Sequence, residues 1–170
     1  GKSPSKLDMA RILSMNETYI KTMNEKNLFD QLKEYVLKYK KPFDTSKDAT
    51  LIKSMVFLKN KAKTLEDIFN NAQYIINEDV KIGDEDKKLL DEQSRLIVKD
   101  FISEFKKLTS ACKENLEPII KTLIEKYKTN FKGVGQPLRI GLVGSRFGPG
   151  LYDVILSLDK AEVIERLNKI

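Results

Sequence analysis

Six of the eight glycines and two of the five prolines fall within residues 133–152, GVGQPLRIGLVGSRFGPGLY. Glycine and proline are the strongest local interrupters of regular structure. Gathering them in one stretch leaves the rest of the 170 residues nearly unpunctuated. That remainder reads as scaffold, one amphipathic helix after another, and the unusual chemistry is confined to the glycine-rich stretch. There Arg139 and Arg146 bracket the apolar run Ile140-Gly-Leu-Val143, and Phe147-Gly-Pro-Gly-Leu-Tyr152 follows at once.

The scaffold is legible from its spacing. Asp8 is placed to cap a short helix carrying Met9, Ile12, Leu13 and Met15, and a second short segment, residues 16–23, carries Tyr19, Ile20 and Lys21. Asn24 opens the next helix, in which Leu28, Leu32, Tyr35, Val36 and Tyr39 recur at i, i+4, i+7, i+8 and i+11, one face of an amphipathic helix. Lys40, Lys41 and Pro42 end it. Residues 45–48 offer a start before Leu51, Ile52, Met55, Val56 and Leu58. Thr64-Leu-Glu-Asp67 is a capping-box pattern, predicting a helix with Leu65, Ile68, Phe69, Ala72, Tyr74 and Ile75. After a break at 77–83, residues 84–108 read as one long helix, acidic at its start and basic at its end, as the helix dipole favours. Asn115 is the expected cap of a further helix, with Pro118 in its first turn and a stripe of Leu116, Ile119, Ile120, Leu123, Ile124 and Tyr127. The tail, 151–170, reads as two helical pieces joined near 157–160. The expected class is all-α, and the length leaves open one domain or two small ones.

Composition narrows the chemistry. The 31 basic and 25 acidic residues give a net charge of +6, a modest pull on polyanions that a solvated Lys/Glu helical surface would also produce. With no histidine and the single cysteine Cys112, Cys/His zinc sites, Ser-His-Asp triads and internal disulfides are excluded. No apolar run approaches the roughly 20 residues of a membrane span, and no signal-peptide pattern opens the chain. A cytoplasmic protein is expected. The start at Gly1, without methionine, suggests a piece of a longer chain.

Taken alone, the glycine stretch admits two structures. Ile140 to Val143 has strand propensity, and a strand, glycine loop and helix together would make a phosphate cradle. No partner strand is in sight, however, and neither a Walker-type Lys-Ser/Thr nor a full GxGxxG follows. A glycine-containing helix that lets another backbone or an RNA base approach closely fits the pattern better.

Gln136-Pro-Leu-Arg139, Leu142, Gly144-Ser145 and Gly148-Pro-Gly-Leu-Tyr152 together resemble the C-terminal anticodon-binding region of bacterial glutamyl-tRNA synthetases. Softer matches fall in the same order: Lys6-Leu7-Asp8 with Asn16 and Tyr19-Ile20, then Ala62-Lys63-Thr64-Leu65, then the closing stretch 158–167. The resemblance spans essentially the whole chain. It implies a two-part, all-helical bundle of the class I synthetase type, residues 1–82 and 83–170, that grips the anticodon stem-loop of tRNA, acting as a monomer. By motif, it places anticodon contacts at Arg139, Gly144, Ser145, Arg146, Phe147, Pro149, Leu151 and Tyr152, with Lys21 reading the third anticodon base. Lysine there is a point donor where arginine would present a bidentate fork. Phe147-Gly148 and Asp159 also depart from the family pattern.

The His-x-Gly-His and Lys-Met-Ser-Lys-Ser signatures of class I catalysis are absent from the sequence. The resemblance therefore implies that ATP and magnesium serve the full-length ligase, with no cofactor held by these residues. An interaction module that keeps the helical fold but recognises a protein stands as the alternative.

The residues themselves suit RNA. Sequence-specific RNA recognition targets unstacked loop bases, which stack on aromatic or guanidinium planes and hydrogen-bond along their edges. Arg139, Arg146, Phe147 and Tyr152 supply such groups, on a backbone that glycines leave open to close approach.

Overall fold

The computed structural model describes residues 17–43 and 45–170. The helix expected around Met9 to Met15, together with the matches at Lys6-Leu7-Asp8 and Asn16, lies outside the described residues. No strand occurs among the described residues, so Ile140 to Val143 form the last turn of a helix and the strand-and-loop cradle is not built. The fold is all-α. It divides between Ile76 and Asn77 into two compact units.

In the first unit, helical residues 17–22 precede α1 (Glu25–Lys38), α2 (Asp48–Leu58), α3 (Leu65–Asn71) and α4 (Gln73–Ile76). Asn24 caps α1 by accepting from the Asn27 amide at 2.8 Å. The α1 stripe holds at Leu28, Leu32 and Val36, all buried, while Tyr39 is 56% exposed. The helix stops where Lys40 takes φ 52°. Its amide and that of Lys41 turn back onto Leu37 and Val36 carbonyls at 3.4 and 3.0 Å, a Schellman closure with lysine in the place that usually favours glycine. Leu51, Met55 and Leu58 of α2 face α1 and are fully buried, whereas Val56 is exposed.

The capping box forms as the sequence indicates. Thr64 Oγ1 accepts from the Asp67 amide at 3.1 Å, and Asp67 Oδ2 accepts from the Thr64 and Lys63 amides at 3.2 and 2.9 Å. The helix it opens is shorter than expected. Ala72 caps it at φ −86°, ψ −1°, and Tyr74 and Ile75 reach the core from the separate α4.

The second unit comprises α5 (Asp84–Lys87), α6 (Glu92–Lys106), α7 (Lys113–Lys126), α8 (Phe131–Val143), α9 (Leu151–Ser157) and α10 (Lys160–Asn168). The single long helix expected over 84–108 is two. Asp91 accepts from the Ser94 amide at 2.8 Å and starts α6 afresh; that hydrogen bond draws its carboxyl below the ordinary aspartate pKa. The start of α7 also moves. Its N-cap is Cys112, and Asn115 lies inside the helix with its side-chain amide donating to the Ser110 carbonyl at 3.1 Å. Pro118 consequently falls beyond the first turn, where its missing N–H leaves the Glu114 carbonyl without the usual helical donor.

Helix α8 is the hub: α6, α7, α9 and α10 all pack on it. Around it lie Phe101 and Phe105, stacked at 5.3 Å, with Ile97, Leu116, Ile120, Val134, Leu138, Leu142, Val154 and Val163, all but inaccessible to solvent. Each such side chain contributes about 1.5–3 kcal/mol by leaving water. Gly141 is what lets α10 close in. A Cβ there would meet the Leu167 side chain at 2.9 Å and the tip of Ile170 closer still.

One polar tie joins α6 to α7. Asp100 Oδ2 accepts from Lys126 Nζ at 2.7 Å and from the Tyr127 hydroxyl. The lysine bond, then the tyrosine bond, holds the Asp100 carboxyl below its usual pKa. The same contacts raise Lys126 and Tyr127 above theirs, with Asp100 as the largest cause for each. For the depressed carboxylate, the stabilisation is present above the unfolded value near pH 4 and is lost as pH falls through the folded pKa. For the two raised groups, it is present below their unfolded values near pH 10 and lost as pH rises further. Because Lys126 is well exposed, solvent screening keeps the tie weak. Asp100→Asn is expected to lower the urea midpoint at pH 7. The difference from the parent should shrink as pH falls below the ordinary aspartate value and vanish only once folded Asp100 is itself protonated.

Candidate nucleic-acid interface

Asn130 starts α8 by accepting from the Gly133 amide at 2.8 Å. The helix then runs through the glycines and Pro137 without interruption as far as Val143. It ends at Gly144, which takes φ 91° and donates its amide to the Ile140 carbonyl at 2.8 Å. Residues 144–150 form the loop into α9. Ser145 Oγ accepts from the Phe147 amide at 3.1 Å, which fixes the turn, and Gly148 supplies a second positive φ, 135°.

Helical spacing places Lys132, Gln136 and Arg139 on one side of α8, with Phe131 beside them. The loop folds back so that Arg146 and Phe147 face the same space. Together these residues line a cleft of about 460 Å³ over Gly135. Phe147 is 68% exposed and Phe131 45%, so two aromatic rings stand open to solvent at its margins. Three cations, Lys132, Arg139 and Arg146, belong to it.

The two arginines are held differently. Arg139 Nη1 donates to the Arg146 carbonyl at 3.1 Å, while its Nε is buried without a hydrogen-bond partner. A buried unpaired donor is costly unless something completes it. Arg146 donates to Asp86 Oδ1 through both its backbone amide, at 3.3 Å, and its Nη1, at 3.0 Å. Its guanidinium lies 4.8 Å from the Phe147 ring centroid, within range of a cation–π contact.

The remaining expected residues take other positions. Gly144 and Ser145 shape the turn and do not line the cleft. Pro149 is half-buried in the loop. Leu151 is 2% exposed and packs beneath the cleft, a Cβ on Gly135 being 3.4 Å from its side chain. In this conformation Leu151 is a core residue and presents no side chain to a ligand. Tyr152 is half-buried with its ring 5.9 Å from that of Phe131, and burial raises its hydroxyl pKa; it buttresses the cleft edge from behind. Lys21 belongs to the first unit, where it is half-exposed and paired with Glu17 at 3.1 Å. A separate groove of about 390 Å³ in that unit is lined by Tyr19, Tyr35, Tyr39 and Glu66 among others, and Lys21 is not one of them.

Sequence reasoning did not count Phe131, Lys132, Gln136 or Asp86 among the contacts, although Gln136 opens the Gln-Pro-Leu-Arg motif. The first three were within reach: once α8 is carried through its glycines, they share a face with Arg139. Asp86 gave no local signal, since it meets Arg146 across 60 residues.

The anticodon-binding domain family model matches residues 27–170. A glutamate–tRNA ligase of Pelagibacter ubique (strain HTCC1062) is 58% identical over 171 residues, covering 100% of this chain and 37% of that protein. A glutamate–tRNA ligase of Zymomonas mobilis is 28% identical, covering 99% of this chain and 35% of its own length. The chain thus spans little more than a third of the curated relatives it matches. Among solved structures, a glutamate tRNA ligase from Elizabethkingia meningosepticum superposes with a TM-score of 0.72 at 22% identity, over 92% of this chain and 31% of that one, a likeness in fold. The match over residues 27–170 establishes that the chain belongs to the anticodon-binding domain family.

Proposed function

We propose that this chain recognises the anticodon stem-loop of tRNA on behalf of a glutamate–tRNA ligase working in the cytoplasm, and that the α8 cleft is where loop bases are read. The observation that carries this reading is the cleft's composition: two arginines, a glutamine amide and two exposed phenylalanines around one concavity. Unstacked bases need those groups. Stacking one base on an aromatic ring contributes about 1–3 kcal/mol, and a good base-edge contact about as much. Arg139 and Gln136 are the edge readers, and Phe147 and Phe131 the stacking surfaces. Lys132 and the many surface lysines would contact phosphates, which position the arm without reading sequence. Lys21 remains the proposed contact from the first unit.

In the full-length enzyme, ATP with magnesium would drive the joining of glutamate to the tRNA 3′ end. No group of three or more His, Cys, Asp or Glu among the described residues is arranged to hold a metal ion. Their part would be differential binding, adding affinity for one anticodon over others.

Binding of this chain to stem-loops bearing glutamate, glutamine and unrelated anticodons, at one fixed salt concentration, tests the proposal. Tightest binding to the glutamate loop is expected. Preference shared with the glutamine loop would mark Lys21 as the residue that fails to separate them. Equal, weak binding to every loop would sink the reading and favour a protein partner.

A further inference from the structure

Resting on the anticodon-reading proposal, we propose that Asp86 is a specificity-determining residue of the cleft: by pairing with Arg146 it turns a phosphate-seeking cation into a fixed, flat surface for a base. Asp86 lies on the short helix α5, and its side chain is only 15% exposed, against 32% for Arg146. A single oxygen, Oδ1, takes both the backbone amide and Nη1 of Arg146. The Arg146 carbonyl is in turn held by Arg139 Nη1. The residue is therefore fixed at its amide, its carbonyl and its side chain.

The consequence for recognition is electrostatic as well as geometric. A free guanidinium beside RNA binds phosphate, because neutralising a phosphate releases condensed counterions whatever the sequence. With a carboxylate at 3.0 Å, Arg146 has its charge largely balanced, and its affinity for phosphate falls. What stays available is its plane. The guanidinium sits over the Phe147 ring, 4.8 Å from its centroid, and Phe147 is largely exposed to solvent, so the pair offers a platform on which a base can stack over the cleft. Asp86 itself does not line the cleft. It acts through Arg146.

The test compares the parent chain, Asp86→Asn and Arg146→Lys, each titrated with the glutamate-anticodon loop and a scrambled loop over a range of salt concentrations. Asp86→Asn keeps an oxygen for the Arg146 amide but removes the charge. It is expected to reduce the preference for the glutamate loop about tenfold. It should also steepen the slope of log affinity against log salt by about 0.7, as one more cation meets a single-stranded phosphate. Arg146→Lys retains a charge that Asp86 can pair but loses the plane; it should lose preference without the steeper slope.

Unchanged preference and slope in Asp86→Asn would overturn the proposal. So would an equal loss for both loops, with a lowered melting temperature and the parent's slope, since that is what a purely structural contact produces. If the parent chain itself shows no preference, the anticodon reading fails first and this inference falls with it.

Discussion

Gly144→Ala is expected to destabilise the chain by about 2–5 kcal/mol, more than a change of one methyl group ordinarily does. Two costs add. The residue sits at φ 91°, where a side chain costs about 1–2 kcal/mol. A Cβ would also stand 2.6 Å from the Lys81 carbonyl oxygen and 2.9 Å from Val80, and forcing extra volume into a packed site costs about 1–3 kcal/mol. At Gly141 the crowding atoms are the ends of leucine and isoleucine side chains, which can rotate aside. At Gly144 the nearest obstacle is backbone, and the turn has to move instead. Urea denaturation reads the effect directly. A midpoint within experimental scatter of the parent would show that the turn rebuilds without strain, and that Gly144 is not required by its geometry.

Arg139→Ala should weaken binding to the preferred stem-loop by about 1–3 kcal/mol, and weaken it less for unrelated loops. Two features of this side chain argue for a reading role. Its Nε is buried with no partner inside the protein, a standing cost that a shift of the side chain onto a bound base would relieve. Its Nη1 holds the Arg146 carbonyl, so losing it also loosens the neighbouring platform. A titration panel against several loops separates the possibilities. Equal losses across all anticodons would mean that Arg139 touches phosphate or supports the fold, and base reading would have to reside in Gln136 and the aromatic rings.

Helix periodicity made most of the scaffold legible. Asn24, the Thr64–Asp67 box and the stripe from Leu116 to Leu123 all depend on residues within a few positions of one another, and those came through. The reading went astray where a cap competes with a continuous pattern. Asp91 lies amid residues 84–108 that all tolerate helix, and only its hydrogen bond to Ser94 shows that a new helix begins there. Asn115 looked like a cap because asparagine usually is one. Here the chain enters α7 three residues earlier, and the Asn115 side-chain amide donates to the Ser110 carbonyl.

At the candidate site, Arg139, Arg146 and Phe147 were visible because the glycines advertise them, and they do share one cleft. Leu151 carries the same local signal, yet it is enclosed beneath Gly135. Burial of a leucine depends on what packs over it, which adjacent residues do not encode. Asp86 shows the opposite failure: an ordinary acidic residue by sequence, it acquires its role only when the fold brings Arg146 to it.

The turn at Gly144 also bears on how this molecule can be divided. The loop that carries Arg146 rests on Val80 and Lys81 and is anchored by Asp86, all from the strip just after the boundary at Ile76 and Asn77. A half-chain begun at Gly83 would keep every helix of the second unit and still lack the surface under Gly144. Any independently expressed version of that unit should therefore start upstream of Val80. By the same logic, an insertion or graft placed in residues 77–83, which look like a permissive linker, would reach the cleft through its underside.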